Sequence, residues 1–335
     1  MKLLLIPSFA FFIVFTCMLV GCNNKDESSP YDTILMQPPY STLTDSIKDS
    51  RNNGDLYYRR ALLLKKNNLP EPALADFQKA WSLKNNEEYA ANISALLVDN
   101  KPDSAIVFIT GALKKISASI FLKLDLARAY TALGKKDEAL IICNEIIKQA
   151  PGQIDALMMK SDLLEEKKDT AGSIAALETA YSLAPFDQEL NYSLAYKYAE
   201  SKNPKVLGLC DSLLKKDSLK PRAEPYYFKG IYYSNIDQHE KAIDCFNLAI
   251  QHDFNFHNAY IEKGKILYDQ KKIKEARKVF TLVSTISPSF ADAYYWIAKC
   301  QQATGQTTEA KENYQRAYGL DKSLTEAKDS ADKIK

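Results

Sequence analysis

The sequence predicts an all-α fold, a solenoid of helix-turn-helix units, and three observations support that fold class. One set of residue types returns at a fixed spacing of 34 residues, a period typical of solenoids. Apolar residues within each unit follow helical spacing. Tiny residues recur at fixed positions among the aromatic ones. The recurring sets are Tyr226, Tyr260 and Tyr294; Gly230, Gly264 and Ala298; Ala242, Ala276 and Ala310; and Phe246, Phe280 and Tyr314.

Each unit reads as two amphipathic helices. Tyr226, Gly230 and Tyr233 fall at i, i+4 and i+7, which places them on one face of a first helix. The same spacing recurs around Phe246 on a second helix. Because Gly230 has no side chain, the two helices of a hairpin can approach closely there. A single hairpin cannot cover its apolar stripe, so neighbouring hairpins must stack on one another.

The order of aromatic, tiny, Ala, aromatic and small residues resembles the tetratricopeptide repeat family. That resemblance implies a right-handed superhelix and a binding scaffold. It also implies that positions 2, 5, 9, 12 and 13 of the first helices line a concave face.

The register predicts about eight units and a short capping helix over 325–335. One unit departs from the pattern, because Val206 and Cys210 arrive one residue early and extra residues precede Ala223. The units are 54–85, 86–119, 120–153, 154–187, 188–222, 223–256, 257–290 and 291–324.

The N-terminus has a charged start and a long apolar run, and it ends on Leu19, Val20, Gly21 and Cys22. These four residues resemble the lipobox of bacterial lipoproteins, and the charged, apolar and small-residue regions fit a secretory signal. We therefore expect residues 1–21 to be a lipoprotein signal peptide, with Cys22 as the lipid attachment site. An uncleaved membrane anchor with an incidental cysteine is the alternative.

Residues 22–53 read as a lipidated, flexible tether, since Ser, Pro and charged residues follow Cys22. A short helix is expected from Ser41 to Arg51, placed to cover the open end of the first unit. Asn23 is not the inner-membrane retention signal of familiar lipoproteins, so we expect an outer-membrane lipoprotein. The triplet from Lys25 to Glu27 leaves both the periplasmic side and the cell surface open.

Composition argues against several other functions. Lys and Arg number 44 against 42 Asp and Glu, which does not favour nucleic-acid binding. Cys143, Cys210, Cys245 and Cys300 are expected to be free thiols. His252 and His257 straddle a turn and form no recognised metal-binding motif. We predict no metal, no cofactor and no enzymatic activity.

The concave positions that the resemblance implies combine tyrosines with carboxylates, a combination suited to an extended peptide, including a basic one. Acidic residues in the first turn of a helix also favour the helix dipole without any ligand. The candidate groove residues are Met158, Asp162, Glu189, Tyr192, Tyr196, Glu224, Tyr227, Ile231, Tyr295 and Trp296.

The leading hypothesis is a membrane-anchored scaffold or adaptor that binds protein or peptide partners in the bacterial cell envelope. A carbohydrate- or nutrient-capture lipoprotein is the alternative. Such proteins carry long insertions between repeats, whereas the units of this chain abut.

Overall fold

A computed structural model describes residues 30–216 and 222–334 of the chain. This part of the chain forms nineteen helices and no strand, which confirms the predicted all-α fold. The helices are α1 (Asp32–Leu35), α2 (Ser41–Asp49), α3 (Gly54–Lys66), α4 (Pro70–Leu83), α5 (Glu87–Asn100), α6 (Pro102–Leu113), α7 (Ile120–Ala132), α8 (Lys136–Gln149), α9 (Ile154–Glu166), α10 (Thr170–Leu183), α11 (Gln188–Glu200), α12 (Lys205–Lys216), α13 (Glu224–Asn235), α14 (His239–His252), α15 (His257–Asp269), α16 (Ile273–Ile286), α17 (Ala291–Ala303), α18 (Thr307–Leu320) and α19 (Thr325–Lys333).

The helices from α3 to α18 form one pair within each of the eight units counted from the sequence. The chain divides into two compact units between Ile93 and Ser94, within α5. In the second compact unit, each helix pair from α7 onward packs against the pair that follows it, as a stack of hairpins requires.

In the first compact unit, residues 30–53 fold against the first hairpin. Leu35, Tyr40 and Ile47 are buried, so this stretch is not the flexible tether that its polar composition predicts. A short helix does form, over Ser41–Asp49. The polar composition of residues 30–53 did not indicate this packing, because three well-spaced apolar side chains are enough to hold two short helices against the first hairpin.

A buried ion pair joins helices of the same compact unit. The Arg60 guanidinium donates to both carboxylate oxygens of Asp76, at 2.6 and 2.8 Å, and to Thr44 Oγ1 at 2.9 Å. Thr44 Oγ1 in turn donates to the backbone carbonyl of Leu35 at 2.7 Å. This network connects α2, α3 and α4.

In the second compact unit, the tiny residues of the repeat allow the close approach that the sequence predicts. A Cβ added at Gly230 would lie 2.4 Å from the ring of Phe246, and one at Gly264 would lie 2.3 Å from that of Phe280. Both rings are fully buried. In these two units, the phenylalanine of the second helix therefore packs directly on the backbone of the first helix.

A left-handed residue follows the first helix in every unit except the second, always at position 15. In the fourth unit Lys168 has φ of 64°, and the amide of Asp169 donates back to the Leu164 carbonyl at 2.8 Å. This bond satisfies a carbonyl that the end of the helix leaves open. The left-handed residues are Asn68, Gly134, Lys168, Lys202, Asp237, Lys271 and Gly305.

The C-terminal helix α19 covers the last hairpin, as predicted. Ala327, Ala331 and Ile334 are buried against Tyr294 and Tyr314. The side chain of Lys311 donates to the Ile334 carbonyl at 2.9 Å. Without this helix, the apolar face of the eighth unit would contact water.

The predicted signal peptide, Cys22 and the start of the predicted tether lie outside the described residues. Among the helices that are described, none is long and apolar enough to cross a membrane.

Candidate functional site

A cleft of about 820 Å³ lies on the first-helix side of consecutive units, within the second compact unit. We call it the acidic cleft, and its walls come from α5, α7, α9 and the first turn of α11. The lining residues are Val98, Asp99, Arg128, Thr131, Ala132, Asp155, Met158, Met159, Asp162, Leu163, Glu166 and Glu189.

Carboxylates dominate the polar part of the acidic cleft. Asp99, Asp155, Asp162 and Glu189 make no ion pair within the described ranges 30–216 and 222–334, whereas Glu166 pairs with Lys136 at 2.8 Å. The single cationic lining residue, Arg128, is bound to Asp125 at 2.9 Å, outside the cleft. The cleft therefore presents a negative potential to a ligand.

The floor of the acidic cleft is apolar. Val98 and Leu163 are buried, and the half-buried side chains of Met158 and Met159 lie beside them. Methionine is flexible and polarizable, so it adapts to apolar ligand groups of different shapes. An acidic rim over an adaptable apolar floor suits a cationic segment that carries an apolar side chain.

The carboxyl group of Asp162 shows the effect of the neighbouring charges in the acidic cleft. Partial removal from water raises the pKa of the Asp162 carboxyl; Lys197 opposes this effect, and the charges of Glu166 and Glu189 add to it. Two neighbouring carboxylates thus hinder the ionisation of a third. A bound cation would relieve that repulsion.

Beside the acidic cleft, tyrosines and carboxylates continue along the first helices. Tyr192 and Tyr196 of α11 contact the Phe228 ring edge-on, at centroid distances of 5.8 and 6.2 Å. Tyr196 remains 39% exposed. Burial, followed by the charges of Glu200 and Glu262, raises the pKa of the Tyr196 hydroxyl. This surface fits the predicted combination of aromatic and acidic groups.

Two of the predicted groove residues have other surroundings. Ile231 is only 6% exposed and belongs to the hydrophobic core, so its assignment to the groove was wrong. The Tyr227 ring packs on Phe246 and Phe256, with centroids 5.8 and 5.1 Å away, which makes it a packing residue as well. The position of a residue within a repeat specifies the side of the helix on which it lies. It does not specify how much of that residue the next hairpin buries.

The last predicted pair, Tyr295 and Trp296, belongs to a separate aromatic cluster in the seventh and eighth units. The Lys299 ammonium lies 4.8 Å from the Trp296 ring centroid and 5.5 Å from that of Tyr295. Glu224, the other predicted acidic residue, is half-buried and does not line the acidic cleft.

Sequence reasoning placed Met158, Asp162 and Glu189 where the structure brings them together. It missed the residues that the second and third repeat units contribute to the acidic cleft, such as Val98 and Arg128. A signal existed, because Arg128, Thr131 and Ala132 occupy positions 9, 12 and 13 of the third unit.

The histidines and cysteines have structural surroundings. The His252 ring stacks on Tyr226 with centroids 5.0 Å apart, and His257 packs on Phe290. Cys143 and Cys210 are buried, and burial raises the pKa of the Cys143 thiol to about 11. No cluster of three or more potential metal ligands occurs in the parts of the chain that the structure describes.

Comparison with known proteins agrees with the hairpin architecture. Two family models described as tetratricopeptide repeat match more than half of the chain. One matches residues 96–163, and the other matches 154–187, 223–255, 257–290 and 291–324.

A solved tetratricopeptide repeat protein from Parabacteroides merdae has a similar fold, with a TM-score of 0.61 at 19% identity. The match covers 73% of this chain and 97% of that one.

Two curated relatives match this chain over a smaller part of its length. The peroxisomal targeting signal receptor of Kluyveromyces lactis is 22% identical over 56% of this chain, and the human protein O-mannosyl-transferase TMTC3 is 28% identical over 40%. The matches span only 39% and 14% of those relatives' own lengths.

Proposed function

Because this chain belongs to the tetratricopeptide repeat family, whose members act in protein–protein interaction, we propose that it is a scaffold for protein partners of the bacterial cell envelope. In this proposal a lipid on Cys22 anchors the chain to the outer membrane. The acidic cleft receives an extended segment of the partner.

The acidic cleft is the observation that carries the proposal. Its volume, about 820 Å³, lies within the roughly 300–1,000 Å³ of ordinary ligand sites. Its carboxylates would attract Lys or Arg side chains, while Met158 and Met159 would contact an apolar side chain between them. The proposed ligand is therefore a basic segment with at least one large apolar residue.

The tyrosines beside the cleft extend the proposed surface. Tyr196 is exposed enough to contact a peptide, and Tyr192 stands one turn earlier on the same helix. Aromatic side chains of this kind often dominate binding energy at protein interfaces.

The cellular location in this proposal depends on the sequence of the N-terminus. The lipobox-like residues from Leu19 to Cys22 and the absence of Asp at position 23 support an outer-membrane lipoprotein. Both the periplasmic side and the cell surface are compatible with this anchoring. The name of the Kluyveromyces lactis relative, a receptor for a targeting signal, is consistent with peptide recognition.

The proposal is tested with the full chain in detergent and three labelled peptides of equal length. One peptide alternates Lys with Leu, one alternates Glu with Leu, and one alternates Lys with Ser. We expect the Lys–Leu peptide to bind most tightly, and its association rate should fall as ionic strength rises, because salt screens the attraction. Asp162→Lys combined with Glu189→Lys should weaken its binding at least about tenfold, or ~1.4 kcal/mol.

The matched control is Glu145→Lys combined with Glu312→Lys, which makes the same charge change on exposed positions of second helices. This control should bind the Lys–Leu peptide as the wild type does. Equal loss in both double variants would assign the effect to net charge alone. Tight binding of the Glu–Leu peptide would contradict the proposed chemistry.

A further inference from the structure

Position 4 of the first helix is occupied by tyrosine in most units, and the ring has a defined place. In the sixth unit the Tyr226 ring stacks on His252, the last residue of the second helix α14. In the eighth unit the Tyr294 ring lies 4.0 Å from the Arg316 guanidinium, near the end of α18. In these two units the tyrosine thus fills the space between the start of the first helix and the end of the second.

The fifth unit has Asn191 at this position. Its Nδ2 donates to the carbonyl of Pro185, six residues earlier, at 3.0 Å. Tyr294 makes the same kind of bond from its hydroxyl, to the carbonyl of Pro288, also six residues earlier, at 3.1 Å. Asn191 therefore replaces the hydrogen bond of the tyrosine but not the volume of its ring.

A cavity of about 330 Å³ lies beside Asn191, between α10, α11 and α12. Apolar groups of Tyr181, Pro185, Leu209 and Leu213 line it together with Asn191. Leu213 lies in the last turn of α12, as His252 and Arg316 lie late in their own second helices, and Leu209 lies one turn before Leu213. We call this space the Asn191 cavity, and it shares no residue with the acidic cleft.

Asn191 lines the cavity and carries a hydrogen-bond acceptor without a partner. The residue is only 3% exposed, and its Oδ1 has no hydrogen-bond partner within residues 30–216 and 222–334. Because only the amide nitrogen can donate to the Pro185 carbonyl, Oδ1 must be the remaining acceptor. A buried acceptor without a donor destabilises the protein, so a ligand that supplies a donor would gain from satisfying it.

We propose that the Asn191 cavity binds a tyrosine side chain of a partner protein. The ring would fill the space that a tyrosine of this chain fills in the sixth and eighth units, and its hydroxyl would donate to Asn191 Oδ1. Phe186, which is 77% exposed at the rim, would contact the residues beside the inserted tyrosine. This proposal does not depend on the function proposed for the acidic cleft.

The first experiment measures the binding of N-acetyl-tyrosinamide and N-acetyl-phenylalaninamide to the full chain, by NMR of methyl-labelled leucines. We expect shifts at Leu209 and Leu213, and at least fivefold tighter binding of the tyrosine compound, because only it has a donor for Oδ1. Equal affinities would overturn the role of Asn191. Binding of free p-cresol without binding of N-acetyl-tyrosinamide would overturn the assignment to a protein side chain.

The second experiment fills the cavity from within. Asn191→Tyr recreates the arrangement of the sixth unit, so it should reduce binding of N-acetyl-tyrosinamide at least tenfold without lowering the melting temperature. Lys123→Tyr, at position 4 of the third unit, is the matched control and should bind as the wild type does. Unchanged binding by Asn191→Tyr would refute the proposal.

If Asn191→Tyr does not fold, Ser212→Trp provides the same test from the exposed rim of the cavity. A bulky indole at that position should block entry without disturbing the core. Retained binding in this folded variant would also overturn the proposal.

Discussion

At the scale of single residues, the side chain that faces each repeat position limits the size of the residue that fits there. Gly230 and Gly264 accommodate phenylalanine rings, whereas Ala298 occupies the same position opposite Tyr314. The added methyl group is therefore accommodated at Ala298 but would overlap the facing ring at Gly230 and Gly264. Contact with the facing ring, rather than helix propensity, accounts for the difference.

Gly230→Ala should lower the free energy of unfolding by up to about 2 kcal/mol. Overpacking against the buried Phe246 ring costs about 1–3 kcal/mol, and the better helix propensity of Ala returns only about 1. Gly208→Ala is the control, because a Cβ at that exposed helical position meets no atom within 4 Å. Denaturant titration should show a neutral or stabilising effect for Gly208→Ala. A stabilising effect of Gly230→Ala would contradict the proposed packing.

Asp162→Asn should stabilise the folded chain at neutral pH while it weakens cation binding in the acidic cleft. The pKa of Asp162 is raised on folding, so its charged form destabilises the folded state. The gain from Asn should be complete above the folded pKa and should vanish as pH falls towards the ordinary value of 3.8. Melting temperatures of both proteins across this range measure the effect. A gain that persists in acid would exclude this cause.

At the scale of helices, the short α1 and α2 depend on tertiary contacts for their stability. Neither is long enough to be stable alone in water. Leu35, Tyr40 and Ile47 supply buried surface, and the pair of Arg60 with Asp76 fixes Thr44 of α2. This arrangement gives the start of the first hairpin a cover.

Asp76→Ala should destabilise the first compact unit by about 3–5 kcal/mol, because it leaves the buried Arg60 charge without a partner. Amide hydrogen exchange in α2 and α3 should increase most. Asp45→Ala removes an exposed pair with Lys48 and should cost at most about 1 kcal/mol. Replacing both Arg60 and Asp76 by apolar residues should recover most of the loss. A small effect of Asp76→Ala would mean that water reaches Arg60.

At the scale of the whole molecule, the proposed function joins a repeat scaffold to a membrane anchor. A single acyl chain binds a membrane only marginally, whereas the several chains of a mature lipoprotein hold it firmly. The strength of anchoring therefore depends on the complete modification of Cys22.

Cys22→Ser should abolish labelling by a fatty-acid analogue and leave an uncleaved or mislocalised precursor, because serine cannot take the lipid. Cys17→Ser lies within the predicted signal peptide and should label as the wild type does. Gel mobility and membrane fractionation provide the measurement. Continued labelling of Cys22→Ser would refute the lipoprotein assignment.

The sequence by itself determined the repeat architecture. The 34-residue period, the pairing of tiny with aromatic residues, and the capping helix are local patterns that any stacked hairpin must satisfy. The same register located Met158, Asp162 and Glu189, because a repeat position specifies one side of a helix. It could not foresee the left-handed Lys168, since lysine carries no turn signal and the geometry of the helix end imposes that conformation.

Tertiary structure decided how far neighbouring hairpins cover each position. It buried Ile231, placed Val98 and Arg128 beside Met158 in the acidic cleft, and docked residues 30–53 on the first hairpin. It also produced the Asn191 cavity. The sequence shows only that a small polar residue stands where most units have tyrosine. The physical reason is that a cavity or a cleft is bounded by residues from several helices, and no local pattern records the distance between them.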